Sequence, residues 1–116
     1  MTGLDGSAVV LDGADDTIVA AGTPLAPSAI AIIRLSGRDA WTVAARVFQG
    51  ARSRPWRPGQ VEVGFVSDRS GALIDQAVLI PWKGPRSYTG EDMAEVCTHG
   101  SPAVASALID ALVAAG

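Results

Sequence analysis

The sequence predicts an α+β domain: a mixed β-sheet of about five strands with helices packed on one face. Three observations carry that prediction. Short β-branched runs recur along the chain. Two longer stretches place apolar residues at helical spacing, each behind a serine. The length, 116 residues, is that of one domain, long enough to bury about 65% of its unfolded surface around a single core.

Residues 1–15 are rich in Gly, Asp, Ser and Ala and read as a mobile leader; the folded domain spans 16–116. Thr17-Ile18-Val19-Ala20-Ala21 is a short strand, and residues 23–28 form a loop with two prolines. Ala29-Ile30-Ala31-Ile32-Ile33-Arg34-Leu35 is a near-continuous apolar run, suited to a strand covered on both faces. Ser36 and Asp39 have the spacing of a capping box. Ala40, Val43, Ala44, Val47 and Phe48 then line one helical face, and Gly50 ends it.

A Pro/Arg/Trp loop follows over residues 52–59. Val61, Val63 and Phe65 alternate with Glu62 and Gly64, the pattern of a half-buried strand. After a turn at 67–71, Ala77-Val78-Leu79-Ile80 makes its antiparallel neighbour, closed by Pro81. Residues 82–89 are a loop, and Ala94-Glu95-Val96-Cys97-Thr98 is a short strand. Ser101-Pro102 starts the last helix, whose buried face is Val104, Leu108, Ile109, Leu112 and Val113.

Composition removes several classes. Hydrophobic residues make up 48% and charged residues 18%, which argues against disorder. The net charge is −3, so strong RNA binding by this domain alone is not expected, although Arg52, Arg54 and Arg57 lie close together. One cysteine, Cys97, gives neither an internal disulfide nor a cysteine-based metal site, and a cytoplasmic setting is the default. No signal peptide is evident at the start, and no run reaches the about 20 apolar residues of a membrane helix.

Candidate chemistry is sparse. Gly84-Pro85-Arg86-Ser87-Tyr88-Thr89-Gly90 lacks the Gly-Lys-Ser/Thr ending of a phosphate loop, so the chain should neither bind nor hydrolyse GTP by itself. Glu91, Asp92, Glu95 and His99 could be drawn as a metal cluster, but loop-capping carboxylates and a hydrogen-bonded histidine are the better reading. Cys97 is better read as a structural thiol than as a nucleophile served by His99. Trp41, Trp56, Trp82 and Tyr88 read as core or interface aromatics; stacking on a flat ligand by Trp82 and Tyr88 is the minority alternative. Arg34 and Glu95 stand out, each interrupting an apolar strand. Charges in such positions need a partner or a ligand. The alternative of equal weight is that they face solvent or pair with each other.

Four segments, in order, resemble the MnmE/TrmE family of tRNA-modification GTPases. They are Asp16-Thr17-Ile18-Val19-Ala20 with Thr23-Pro24; Ile32-Ile33-Arg34-Leu35-Ser36-Gly37; Pro81-Trp82-Lys83-Gly84-Pro85-Arg86-Ser87-Tyr88-Thr89-Gly90-Glu91-Asp92; and Glu95 with His99-Gly100. The third is similar to the family's F-P-G-P-x-S-[FY]-T-G-E-D, a long and specific motif. The resemblance covers about residues 15–116.

It implies an N-terminal module like the folate-binding domains of one-carbon transferases, followed in the family by helical and GTPase domains that lie outside this chain. It implies a tetrahydrofolate cofactor, 5-formyl or 5,10-methylene, bound through Arg34 and Glu95, with Thr89, Gly90, Glu91, Asp92 and His99 shaping the pocket. It implies a homodimer. The flavin-dependent partner MnmG and tRNA would be engaged by the full complex, and GTP, Mg²⁺ and K⁺ by the GTPase domain. No catalytic residue and no metal site are expected in this chain.

Residues 23–31 depart from the family's T-P-P-G-R-G-A-[IV]-G: two glycines and an arginine are missing. His99-Gly100-Ser101 replaces H-G-G, and two further folate-contacting lysines of the family fall beyond Gly116. A dimerisation scaffold with a decayed folate pocket is therefore the second expectation, and a stand-alone aminomethyltransferase-like domain a third.

Overall fold

The computed structural model describes residues 9–10, 17–22, 29–51 and 55–116. The elements are β1 (Val9–Val10), β2 (Ile18–Ala21), β3 (Ile30–Ser36), α1 (Ala40–Val47), β4 (Phe48–Gly50), β5 (Glu62–Ser67), β6 (Leu73–Trp82), β7 (Met93–His99) and α2 (Pro102–Ala115). The strands form one sheet in the order β1-β2-β3-β7-β6-β5-β4.

The α+β class and the two helices stand as the sequence predicts. The sheet is larger than the expected five strands, with seven among the described residues, and every neighbouring pair is antiparallel. Both additional strands are very short edges. Val9–Val10, inside the stretch read as a leader, pairs with Val19 and Ile18; the rest of 1–15 lies outside the described residues. Phe48–Gly50, read as the end of a helix, pairs with β5 instead. Phe48 has extended backbone (φ −100°, ψ 131°) and seals the core from β4. A β-branched residue followed by an aromatic one suits a strand as well as a helix end, so local pattern does not decide the boundary.

Both helices cover the same face. Ala40, Val43, Ala44 and Val47 of α1, with Ala105, Leu108, Ile109 and Leu112 of α2, pack on Val19, Ala31, Ile33, Leu35, Leu79, Ala94 and Val96 of the sheet. That area is one continuous core, the main source of stability in a domain of this size. Trp41 fastens α1 to the sheet by donating its indole N–H to the carbonyls of Trp82 (3.2 Å) and Met93 (2.9 Å).

Neither serine caps its helix. Ser36 is the last residue of β3, and its hydroxyl is taken by Thr89; the cap position falls at Asp39, whose backbone N–H is held by Thr17 Oγ1 at 3.1 Å. Ser101 occupies the cap position of α2 without a side-chain cap bond, and Pro102 follows it as expected.

Among the described residues, the second face of the sheet carries no helix. β3, read as covered on both sides, is covered on one: Ala31, Ile33 and Leu35 are buried, whereas Ile30 is 56% exposed and Ile32 and Arg34 are half-buried. In β5 the expected alternation is present with its faces exchanged. Glu62, Gly64 and Val66 are buried, and Val61, Val63 and Phe65 are 51%, 62% and 45% exposed. Period-two alternation identifies two faces but does not say which one meets the helices.

Candidate functional site

The open face carries the candidate site. Arg34 and Glu95 are direct cross-strand neighbours on β3 and β7, and Ile80 of β6 is the next residue across. Side chains directly opposite on one face sit close enough to interact. Arg34 Nε donates to Glu95 Oε2 at 2.8 Å, and Trp82 Nε1 donates to Glu95 Oε1 at 2.8 Å. The two strand-interrupting charges thus pair with each other, at 36% and 18% side-chain exposure, and remain open to solvent.

The pair has spare capacity. A carboxylate offers about four lone-pair sites, and each Glu95 oxygen has one described donor. Among the described residues Arg34 commits only its Nε, to Glu95, which leaves the Nη edge for planar recognition. Gly22 makes room for it. A Cβ built there would lie 3.1 Å from Nη1, 3.2 Å from Cζ and 3.3 Å from Nε, near-equal distances that place it over the flat face of the guanidinium.

The 84–92 loop forms one wall. Its stem is closed by Asp92, which accepts from the Gly84 N–H and from Lys83 Nζ, both at 3.0 Å, while the Asp92 carbonyl accepts from the Gly37 N–H at 2.9 Å. Desolvation alone would raise the Asp92 carboxyl; the Gly84 hydrogen bond and then Lys83 outweigh it and hold it below the usual range. Thr89 Oγ1 meets Ser36 Oγ at 2.6 Å, and Ser36 Oγ also reaches Glu91 Oε1 at 3.5 Å. Gly90 turns the loop with φ +83°. Arg34 Cζ lies 5.5 Å from the Tyr88 ring centroid.

The predicted residues therefore separate. Arg34 and Glu95 form the centre, and Thr89, Gly90, Glu91 and Asp92 build the adjoining loop. His99 is not brought to them. It pairs with Ile30 two ladder steps beyond the Arg34–Glu95 pair on the same face, and its Nδ1 contacts Asp75 Oδ2 at 2.9 Å. Glu95 and His99 do share a face, but they serve Arg34 and Asp75 respectively, and among the described residues no three metal-ligating groups converge. Cys97 lies between them. Burial and then the Glu95 charge push its thiol above its usual range, against the smaller pull of Arg34, so the thiolate is disfavoured.

Sequence reasoning missed three contributors: Trp82 as a donor to Glu95, Ser36 as the loop's anchor, and Gly22 as the floor under Arg34. The signal for Trp82 was its period-two spacing from Ile80; reading Pro81 as the end of the strand concealed it. β6 runs on through Pro81 to Trp82.

The Asp75–His99 contact gives a pH prediction. Desolvation would raise the Asp75 carboxyl, but the His99 backbone N–H, ring hydrogen bond and charge hold it below the usual range. A depressed carboxylate contributes stability above its unfolded value, about 3.9, and loses it as pH falls through the lower folded value. The melting-temperature deficit of Asp75→Asn at neutral pH should therefore shrink towards zero in acid below the unfolded value. A deficit that stays constant down to about pH 2 contradicts the assignment.

Fold and site together define an α+β domain with an ion-paired, partly exposed polar centre on the open face of an antiparallel sheet. The family described as the GTP-binding protein TrmE N-terminus matches residues 17–116, and the chain belongs to that family. It is 43% identical over 102 residues to a tRNA modification GTPase MnmE of Roseiflexus sp. (strain RS-1), covering 88% of this chain and 22% of the relative. It is 47% identical over 102 residues to a protein of that name from Thermus thermophilus, covering 87% of this chain and 24% of the relative. The chain thus spans less than a quarter of the length of these relatives.

Proposed function

We propose that this domain binds a tetrahydrofolate one-carbon donor on its open sheet face and dimerises there, as the N-terminal module of a tRNA modification GTPase. Membership of the TrmE N-terminal family and the names of the relatives support the module. The observation that carries the ligand is the Arg34–Glu95 pair, half-buried yet open, with donor and acceptor capacity unspent.

The residues fit the group. A pterin presents an N–H and an amino group side by side, which one carboxylate edge can accept, and a carbonyl or carboxylate tail that a guanidinium can grip. Bound tetrahydrofolate would supply the one-carbon unit. Glu95 would orient the ring system, Arg34 would neutralise Glu95 and hold an acceptor, and Trp82 would fix the carboxylate's rotamer. GTP hydrolysis with Mg²⁺ and K⁺, the flavin-dependent partner MnmG, and tRNA belong to the wider protein in this reading, in the cytoplasm. Among the described residues no helix is long and apolar enough to cross a membrane.

The exposed apolar residues support dimerisation. Ile30, Val61, Val63 and Phe65 stand on the open face, and a depression of about 310 Å³ lies between Ile30, Val63, Val78 and Cys97. A contiguous apolar face of this kind marks an interaction surface. A two-fold arrangement would bury it against itself and set the Arg34–Glu95 centre beside the partner.

The second reading, a scaffold whose pocket has decayed, is favoured by Leu25-Ala26-Pro27-Ser28 standing where the family has glycines and an arginine; those residues lie outside the described ones. Titration with 5-formyl-tetrahydrofolate and sedimentation of Val63→Glu separate the readings. Saturable binding by the wild type supports the folate module. A wild-type dimer without binding supports the scaffold. A Val63→Glu protein that sediments as the wild-type dimer removes the open face as the interface.

A further inference from the structure

Tyr88 is the most exposed large apolar side chain among the described residues, at 88%. An aromatic ring left in water forfeits the burial that usually justifies it. Its setting is otherwise firmly held. Asp92 closes the stem through Gly84 and Lys83, Ser87 Oγ donates to the Glu91 carbonyl, and Thr89, the next residue, is tied to Ser36. The loop is anchored on both sides of Tyr88 while the ring itself is left at the rim. Its described contact is the guanidinium of Arg34, at 5.5 Å from ring centroid to Cζ.

Arg34 is in turn confined. Gly22 backs one face of its guanidinium, and Glu95 holds its Nε. A planar group entering to meet the Glu95 carboxylate and the Arg34 Nη edge would come in beside the Tyr88 ring. An aromatic side chain stacks on flat heterocycles without needing hydrogen bonds, and it discriminates against non-planar molecules of similar polarity.

We propose that Tyr88 is a specificity-determining residue of this site, stacking its ring on the flat aminopyrimidinone half of the heterocycle that Arg34 and Glu95 hold. The proposal rests on the folate reading above. The ring face carries the interaction and the hydroxyl does not. Because Tyr88 buries almost nothing, its replacement leaves the fold intact.

The test is calorimetric titration of 5-formyl-tetrahydrofolate into wild type, Tyr88→Phe and Tyr88→Ala, with thermal melts and sedimentation on each. Tyr88→Phe should bind within about twofold of wild type and Tyr88→Ala about tenfold or more weakly. Melting temperature and oligomeric state should be unchanged in both. Wild-type affinity in Tyr88→Ala overturns the stacking role and leaves the folate reading standing. Equal losses in Tyr88→Phe and Tyr88→Ala assign the effect to the hydroxyl and overturn it too. A Tyr88→Ala protein that loses its dimer together with the ligand makes Tyr88 an interface residue instead. No binding by the wild type removes the folate reading and the stacking role together.

Discussion

Gly64→Ala is expected to destabilise the fold by about 3 kcal/mol or more, at the upper end of overpacking effects. A Cβ at this position would sit 2.1 Å from the Gln49 carbonyl oxygen and 2.8 Å from Gly50 Cα, both backbone atoms of β4. Backbone on a paired strand does not rotate away as a side chain would, so relief means pushing β4 off β5. β4 begins with Phe48, which plugs the core beside Val47 and Trp56, so the damage reaches the apolar cluster. Gly71→Ala is the contrast. A Cβ there meets nothing within 4 Å, and only its φ of +87° opposes substitution, at about 1–2 kcal/mol. Urea unfolding of both variants measures the difference; equal midpoints would contradict the β4–β5 pairing.

Arg34→Ala has the second large expected effect, on ligand affinity more than on stability. The substitution leaves the Glu95 carboxylate with Trp82 Nε1 as its described donor. A fully buried pair broken this way costs about 3–5 kcal/mol, but water screens a pair that is 36% and 18% exposed, and about 1 kcal/mol is expected here. On the proposed folate reading, affinity should fall at least about tenfold, because the charge that neutralises Glu95 and the Nη edge proposed to meet the ligand are lost together. In a double-mutant cycle with Glu95→Ala, the two losses should be strongly non-additive, as for residues of one network. Additive losses would mean that the two side chains act on the ligand independently.

The fold class, both helices and the cores of β2, β3, β5, β6 and β7 were legible because their apolar spacing is regular. The β3 run 30–35 and the α2 face around Leu108 and Leu112 are plain examples. Two features were not legible. The short edges β1 and β4 carry too few residues to show a period, and Phe48 continues a helical pattern as readily as it starts a strand. The orientation of β5 was hidden because Val61, Val63 and Phe65 are as apolar as core residues while lying on the open face. Apolar alternation reports burial by something, and a second surface serves as well as a core.

The geometry of the candidate site was legible in part for a related reason. A charge inside an apolar strand is conspicuous, so Arg34 and Glu95 could be singled out without a structure. Their partners were not conspicuous. Trp82 lay beyond a proline that reads as a strand end, Gly22 acts by lacking a side chain, and Ser36 read as a helix cap when its hydroxyl serves the 84–92 loop. His99 shares the strand and the face of Glu95, but the extended backbone carries it four residues away, to Asp75.

The central claim is that the Arg34–Glu95 pair is a folate site. Its most direct test is calorimetric titration of 5-formyl-tetrahydrofolate into the wild-type protein and Glu95→Ala, with sedimentation to confirm that the oligomeric state is retained. Saturable wild-type binding, weakened by at least 1.4 kcal/mol (about tenfold) in a Glu95→Ala protein that keeps the wild-type oligomeric state, is the predicted result. A well-folded wild type that takes up no folate, or a Glu95→Ala protein that binds it as tightly as wild type, would contradict it.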